Sequence, residues 1–423
     1  MIKRFLHALT LISMAFSVLA QPEGGIGGKV VNHEKGEALP FAQVALGNSA
    51  TGTVSNEEGQ FFLQLPPGHE KDTVYISYLG YEMARLAVSG LHNRENLIRL
   101  KLKEVLLKEV EVVALTPQEV LRRAFGQITE NYRNDSILLT AFYRSQKFAG
   151  KKLAEFAEAV IVDLKTGYFT QNSFKDVKDA TSGNNLTHLV KGRVVSDTGL
   201  VNSMGDVGKA AGCLGCIFVD PVQINYRSVF DEEVFRFYSL KMEEISGPGG
   251  GRVFHIWYEQ QGKDLKGYKG EIYIDGSSFA VMRISQKPSF KAFDKYEKEK
   301  YKKTYTINGK PGWIAEMPLI DRTVAYDLNN DGWHLSTVRE EQWVTFTLPA
   351  TGQKIRMGYK NELVVTATSR DAGELKMFRG DRQSGAGQRW DQLVGNADPD
   401  FWAKYNYLPV EESLRSAIQG IGK

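Results

Sequence analysis

Cysteine is nearly missing from this chain: 423 residues contain two, Cys213 and Cys216. That excludes a disulfide-stapled miniature scaffold, which needs several bridges. Proline is scarce at 13, and the 41 glycines follow no three-residue period, so collagen-like structure is excluded. Neither sign of charge dominates, with 53 basic and 50 acidic residues, and losing Lys3 and Arg4 with a leader lowers the net charge to +1. A nucleic-acid partner therefore has no electrostatic footprint here. After the N-terminal stretch no apolar run reaches the length of a transmembrane helix. The sequence also lacks G-x-S-x-G, H-E-x-x-H, P-loop and Rossmann signatures, so the familiar hydrolase, metalloprotease and nucleotide sites are not indicated.

What is present begins with a leader. Lys3 and Arg4 precede an apolar stretch from Phe5 to Leu19, and Val18-Leu19-Ala20 offers modest or small residues before Gln21. Residues 1–20 thus read as a cleavable signal peptide, and the mature protein is expected in the periplasm or at the outer membrane. From Gly24 to Leu102, short apolar runs alternate with turn clusters at Asn32 to Gly36, Asn56 to Gly59 and Pro66-Pro67-Gly68. That rhythm predicts a β-sandwich over 21–113. Gly59 suits a turn that needs positive φ, Phe61 opens a buried strand, and Tyr78 and Tyr81 read as core.

The residues Gly28, Leu39-Pro40-Phe41-Ala42, Gly52-Thr53, Asn56, Gly59, Phe61 and Ser77 to Tyr81 resemble the carboxypeptidase-regulatory-like domain of Bacteroidetes envelope proteins. The resemblance implies a seven-stranded, transthyretin-like sandwich without chemistry of its own.

Residues 114–423 read as an α+β domain, mainly β, with one long helix on a curved antiparallel sheet. Thr116, Pro117 and Glu119 form a capping box, and Leu121, Phe125, Ile128 and Tyr132 mark one apolar helical face. Strand-like runs follow, with hairpin turns at Asp275-Gly276, Asn308-Gly309 and Asn330 to Gly332. Residues 175–215, rich in Gly, Asn, Ser and Asp, read as an irregular excursion with a short helix. One helix followed by an antiparallel meander is similar to the half-barrel of the LolA/LolB lipoprotein carriers. The closing segment resembles the tail of Bacteroidetes proteins of this layout, which implies that Phe401, Trp402, Tyr405 and Asn406 anchor the tail to the sheet.

Candidate chemistry is thin. His92 and Glu95 fit an H-x-x-E pair, but two ligands need a third, and nothing nominates His188. Asp327 to Gly332 begins like a calcium loop, yet its twelfth position is Val338 where the motif needs Glu, so a hairpin explains it better. Arg379-Gly380-Asp381 reads as a turn. Cys213 and Cys216 are a possible disulfide, closed across Gly215. No catalytic residue, metal or cofactor is nominated. The expectation is a non-catalytic binding or scaffold protein of the cell envelope, its partner an envelope protein, a glycan or a lipid. The alternative is a periplasmic carrier of lipid or lipoprotein acyl chains, and a hydrolase stands third.

Overall fold

The computed structural model describes residues 24–47, 51–103, 115–132, 135–165, 185–204, 220, 222, 237–261, 268–288, 304–315, 319–329, 332–380 and 405–422. Residues 1–20, expected as a leader, and Cys213, Cys216, Asn330, Asp331, Phe401 and Trp402 lie outside them.

Seven strands build the sandwich: β1 (Gly25–Asn32), β2 (Gln43–Leu46), β3 (Gly52–Val54), β4 (Gln60–Gln64), β5 (Thr73–Ser77), β6 (Ala84–Ala87) and β7 (Asn96–Leu100). One sheet runs β4-β1-β7 and the other β3-β2-β5-β6. Alternation places Val44, Leu46, Val74 and Ile76 from the second sheet against Val30, Phe61 and Leu63 from the first. Tyr78 and Tyr81 pack on this core, edge to face at 5.4 Å, and the Tyr81 hydroxyl accepts from Asn32. Gly59 sits at φ 78°, where a Cβ would meet the Val30 carbonyl oxygen at 2.5 Å. Gly59→Ala is expected to cost at least about 2 kcal/mol in denaturant unfolding, through left-handed strain plus that clash. A loss below about 0.5 kcal/mol would mean that the turn relaxes freely.

A third, large sheet has twelve strands. They are β8 (Ile137–Ala149), β9 (Lys152–Lys165), β10 (Asn185–Ser196), β11 (Tyr238–Ser246), β12 (Arg252–Gln260), β13 (Tyr268–Asp275), β14 (Val281–Pro288), β15 (Thr304–Ile307), β16 (Lys310–Ala315), β17 (Leu319–Asn329), β18 (Gly332–Leu348) and β19 (Gln353–Ser369). Ten of them form one antiparallel path, β10-β9-β8-β19-β18-β17-β14-β13-β12-β11, while β15 and β16 branch from β18. Asn308 and Gly309 turn between β15 and β16 at φ 53° and 70°, as a two-residue hairpin requires. No described helix is long and apolar enough to cross a membrane.

Two expectations change. Residues 185–196, within the expected excursion, form β10 and pair along β9 from Asn185↔Lys165 to Ser196↔Glu155. A register shift between Leu189 and Lys191 breaks the two-residue period, so the strand was invisible to alternation. The long helix is instead a ten-residue α1 (Pro117–Gly126) and a separate turn α2 (Ile128–Asn131), joined at Gln127. The break at Gln127 re-aims the chain, and Leu121, Ile128 and Tyr132 are buried while Phe125 is 37% exposed. The capping box is present in full. Short helices α3 (Thr198–Ser203), α4 (Ala372–Gly380) and α5 (Glu412–Gln419) follow among the described residues.

The two faces of the large sheet differ. One face packs Phe254, Ile256, Ile272, Ile274, Leu335 and Leu363 against Val120, Leu121 and Ala124 of α1. Tyr132 closes that core, edge to face with Tyr326 at 5.4 Å, its hydroxyl donating to the Val281 carbonyl. The Tyr326 hydroxyl donates to Asp220, which also accepts from the Lys165 ammonium at 2.7 Å. The other face carries the sandwich and the C-terminal segment.

Candidate functional site: a polar groove where sandwich, sheet and C-terminal strap meet

Side chains directly opposite each other in antiparallel strands share a face. Register therefore lines up residues that are far apart in sequence. One such row crosses all ten strands of the path: Lys241, Trp257, Glu271, Ser285, Thr323, Arg339, Glu362, Arg144, Glu158 and Arg193. From Arg339 to Arg193 the charges alternate. Arg339 Nε lies 3.6 Å from Glu362, Arg144 Nη1 3.7 Å from Glu362, and Arg144 Nη2 2.7 Å from Glu158, which also pairs with Arg193. A parallel row two residues along holds Lys287, Asp321, Glu341, Lys360 and Gln146.

The buried end of the first row is roofed by a strap, residues 405–411, wedged between sandwich and sheet. Leu408 and Tyr407 pack with Val54 and Phe62 of the sandwich and with Phe142, Val160 and Val364 of the sheet. Asn406 accepts from the Gln64 amide at 2.6 Å and donates to the Gly52 carbonyl at 3.2 Å. The tail anchor at Asn406 is thus made to the sandwich, whereas the resemblance implied the sheet. Arg144, fully buried, donates to the Leu408 and Pro409 carbonyls and to Glu411 at 3.4 Å. Burial alone would weaken its proton affinity, but the carboxylates of Glu158, Glu362 and Glu411 outweigh that and raise it. Burial also raises the pKa of Glu411, with the Glu362 charge adding to it and Arg144 opposing. A further sandwich contact is Phe41, held at φ 63° with its ring 3.8 Å beneath the Arg339 guanidinium. Arg339 also pairs with Glu57.

The exposed stretch of the two rows forms the floor of a groove of about 570 Å³. Glu57 of the sandwich rims it, and Glu411, Ser413, Leu414 and Ala417 of the strap and α5 line it with the sheet. Seven carboxylates and four cations line it. Beyond Glu271 lies an aromatic end. His255 stacks between Trp257 and Tyr273 at 3.8 and 4.1 Å, and its ring nitrogens face Glu243 and Glu271. At the other end Phe148, a lining residue, meets Trp343 at 5.5 Å. Burial pushes the Glu341 carboxyl up, but hydrogen bonds from the Trp343 indole and the Lys360 ammonium win and hold it below the ordinary carboxylate range.

The residues weighed from sequence lie elsewhere. His92 and Glu95 lie in the turn just before β7 of the sandwich, while His188 is on β10 of the large sheet. Among the described residues no group of three or more His, Cys, Asp or Glu could hold a metal ion. Asp327 accepts from Gln43 of the sandwich at 2.6 Å and from Ser336 at 3.3 Å, with its pKa raised by burial, so it ties the two parts together. Cys213 and Cys216 fall outside the described residues. Sequence reasoning missed the row. Its one signal is charge inside apolar strands, as at Arg144 and Glu158, and only register tells which charges meet.

No curated protein sequence matches this chain. Similar solved structures include a domain from Vibrio parahaemolyticus assigned to outer membrane lipoprotein sorting, at 11% identity over 61% of this chain and 96% of that one, with a TM-score of 0.24. A LolA superfamily protein from Nitrosomonas europaea matches at 11% identity over 63% and 98%, with a TM-score of 0.21. The MucA/MucB complex of Pseudomonas aeruginosa matches at 11% identity over 60% and 99%, with a TM-score of 0.20. Residues 26–113, which take in the sandwich strands through β7, match the family model of the CarboxypepD_reg-like domain.

Proposed function

We propose that this is a non-catalytic binding protein of the cell envelope and that the groove takes its polar ligand. The observation that carries this reading is the contrast between the two sheet faces. The face under α1 is filled by side chains from Val120 to Leu363, which leaves the acyl-chain alternative without support among the described residues. The other face presents an open, charge-lined groove built by sheet, sandwich and strap together. Its carboxylates already have partners, such as Glu341 with Trp343 and Lys360, and Glu271 with His255 and Tyr273. That arrangement suits recognition better than proton transfer, which needs a group free to exchange its proton with substrate. The envelope location rests on the leader at residues 1–20.

A photoreactive amino acid at Thr323, on the groove floor, tests the reading in intact cells. Adducts are expected from Thr323 and not from Met377, which is exposed on α4. Equal labelling from both positions would defeat the proposal. Native mass spectrometry of detergent-free protein is expected to show no lipid-sized mass, and bound lipid would restore the carrier reading.

A further inference from the structure

We infer that the groove binds a neutral oligosaccharide, stacked on Trp257 at one end and on Trp343 at the other. This rests on the reading of the groove as a binding site and names the chemistry of its ligand. Trp257 lies directly across from the lining residue Glu271, and Tyr273 directly across from the lining residue Arg283. These two rings hold His255 between them, and both stay partly exposed. Trp343 stands beside the lining residue Phe148 and lies across Gly358, where a Cβ would come within 2.4 Å of the indole. Glycine at that position lets the ring lie down on the sheet, while the indole N–H donates to Glu341. Trp343 is also partly exposed, and the guanidinium of the exposed Arg356 lies 4.5 Å over it. From β12 to β18 the path crosses four strand spacings, about 19 Å, so the two platforms suit several linked rings rather than one.

Between the platforms the floor offers donors and acceptors together. Register puts Glu271, Ser285, Thr323 and Arg339 in one row on the groove face. Beside that row the charges come in opposite pairs, Lys287 with Asp321 at 3.7 Å and Lys360 with Glu341 at 3.1 Å. An anion would be drawn to one member of each pair and repelled by the other, and a cation likewise. A hydroxyl both donates and accepts, so it is matched at every point of such a floor. A purely apolar ligand would take these groups out of water with nothing in return. A sugar ring meets both demands: hydroxyls surround its edge, and its C–H face packs on an aromatic ring as apolar surface does.

Isothermal titration of the full mature chain tests this with maltohexaose, cellohexaose and N-acetylated chitohexaose, and with a capped Gly-Ser hexapeptide as a neutral control. At least one sugar is expected to bind, and to bind Trp257→Ala more weakly by about tenfold or more. Trp257→Tyr keeps a stacking ring and should stay within about threefold of the wild type. Affinity should change by less than about twofold between about 0.05 and 0.5 M salt, because salt does not screen a neutral ligand. If Trp257→Ala fails to fold, Trp343→Ala at the far platform makes the same comparison. No sugar binding, equal binding of the hexapeptide, a steep fall with salt, or indifference to both tryptophan substitutions would overturn the inference. If sugars fail while Thr323 adducts persist, the groove still binds and only the sugar assignment falls. Loss of both removes both.

Discussion

Arg144→Ala is expected to destabilise the protein by about 3–5 kcal/mol, the usual cost of breaking a buried ion pair from one side. The cost lies in the groups that remain behind. Arg144 is fully buried and gives Glu158 two hydrogen bonds, at 2.9 and 2.7 Å. It also bonds the Leu408 and Pro409 carbonyls and faces Glu362 and Glu411. Without it Glu158 keeps Arg193 and Glu362 keeps Arg339, but Glu411 loses the cation beside it and two strap carbonyls lose a donor. The guanidinium also lies over the rings of Phe142 and Phe156, at 5.4 and 5.8 Å. Arg144→Met fills the same space and should be nearly as damaging, because the carboxylates stay buried. Arg144→Lys should fall between, since one ammonium cannot fork to Glu158 and reach the strap. Urea unfolding measures the loss, and hydrogen exchange over residues 405–411 should rise in step. A loss below about 1 kcal/mol in the Ala variant, or an unchanged strap, would remove Arg144 from its place as the tie between sheet and tail.

How far the sequence foretold this differs from element to element. The sandwich was legible because its cues are local: turn residues at Gly59 and Pro66 to Gly68, alternation at Phe41 to Leu46, and a family resemblance over the same residues. The cap of α1 was legible for the same reason, since Thr116 and Glu119 are three residues apart. The groove was not legible. Arg144, Glu362 and Thr323 come from β8, β19 and β17, and only strand order and register bring them together. Alternation in "TAFYRSQ" does say that Phe142, Arg144 and Gln146 share a face, but not what lies across from them. The strand β10 was hidden by its bulge. Phe41 shows the limit from another side: its alternation with Gln43 and Ala45 marks a strand, whereas its positive φ turns the ring onto Arg339. Tertiary contact overrides local pattern there, and non-glycine residues held in that region are where contact rather than propensity decides.

The second large expected effect is a pH dependence that a single amide substitution flattens. Asp163 on β9 is fully buried, and burial raises its pKa to about 7, against hydrogen bonding from Thr187 and the charge of Lys165. Thr187 Oγ1 donates to Oδ1 at 2.7 Å, while Oδ2 has no hydrogen-bond partner among the described residues. The ionised form is therefore disfavoured in the folded state relative to the unfolded chain, where an aspartate titrates near 3.9. A raised folded pKa means that the folded protein holds its proton more tightly. Its contribution is most favourable below about pH 4, declines as pH rises through about 7, and is constant above that. Between pH 5 and pH 8 the wild type should lose roughly 2–3 kcal/mol from this group alone. Asp163→Asn keeps an oxygen for the Thr187 hydroxyl and carries no charge. Its stability should therefore lack this slope, so that the variant gains on the wild type by that amount between the two pH values. Denaturant unfolding of both proteins at pH 5, 6.5 and 8 measures the difference. Parallel curves would show that Asp163 is ionised at no unusual cost, with its free oxygen solvated or paired in a way that this packing does not provide.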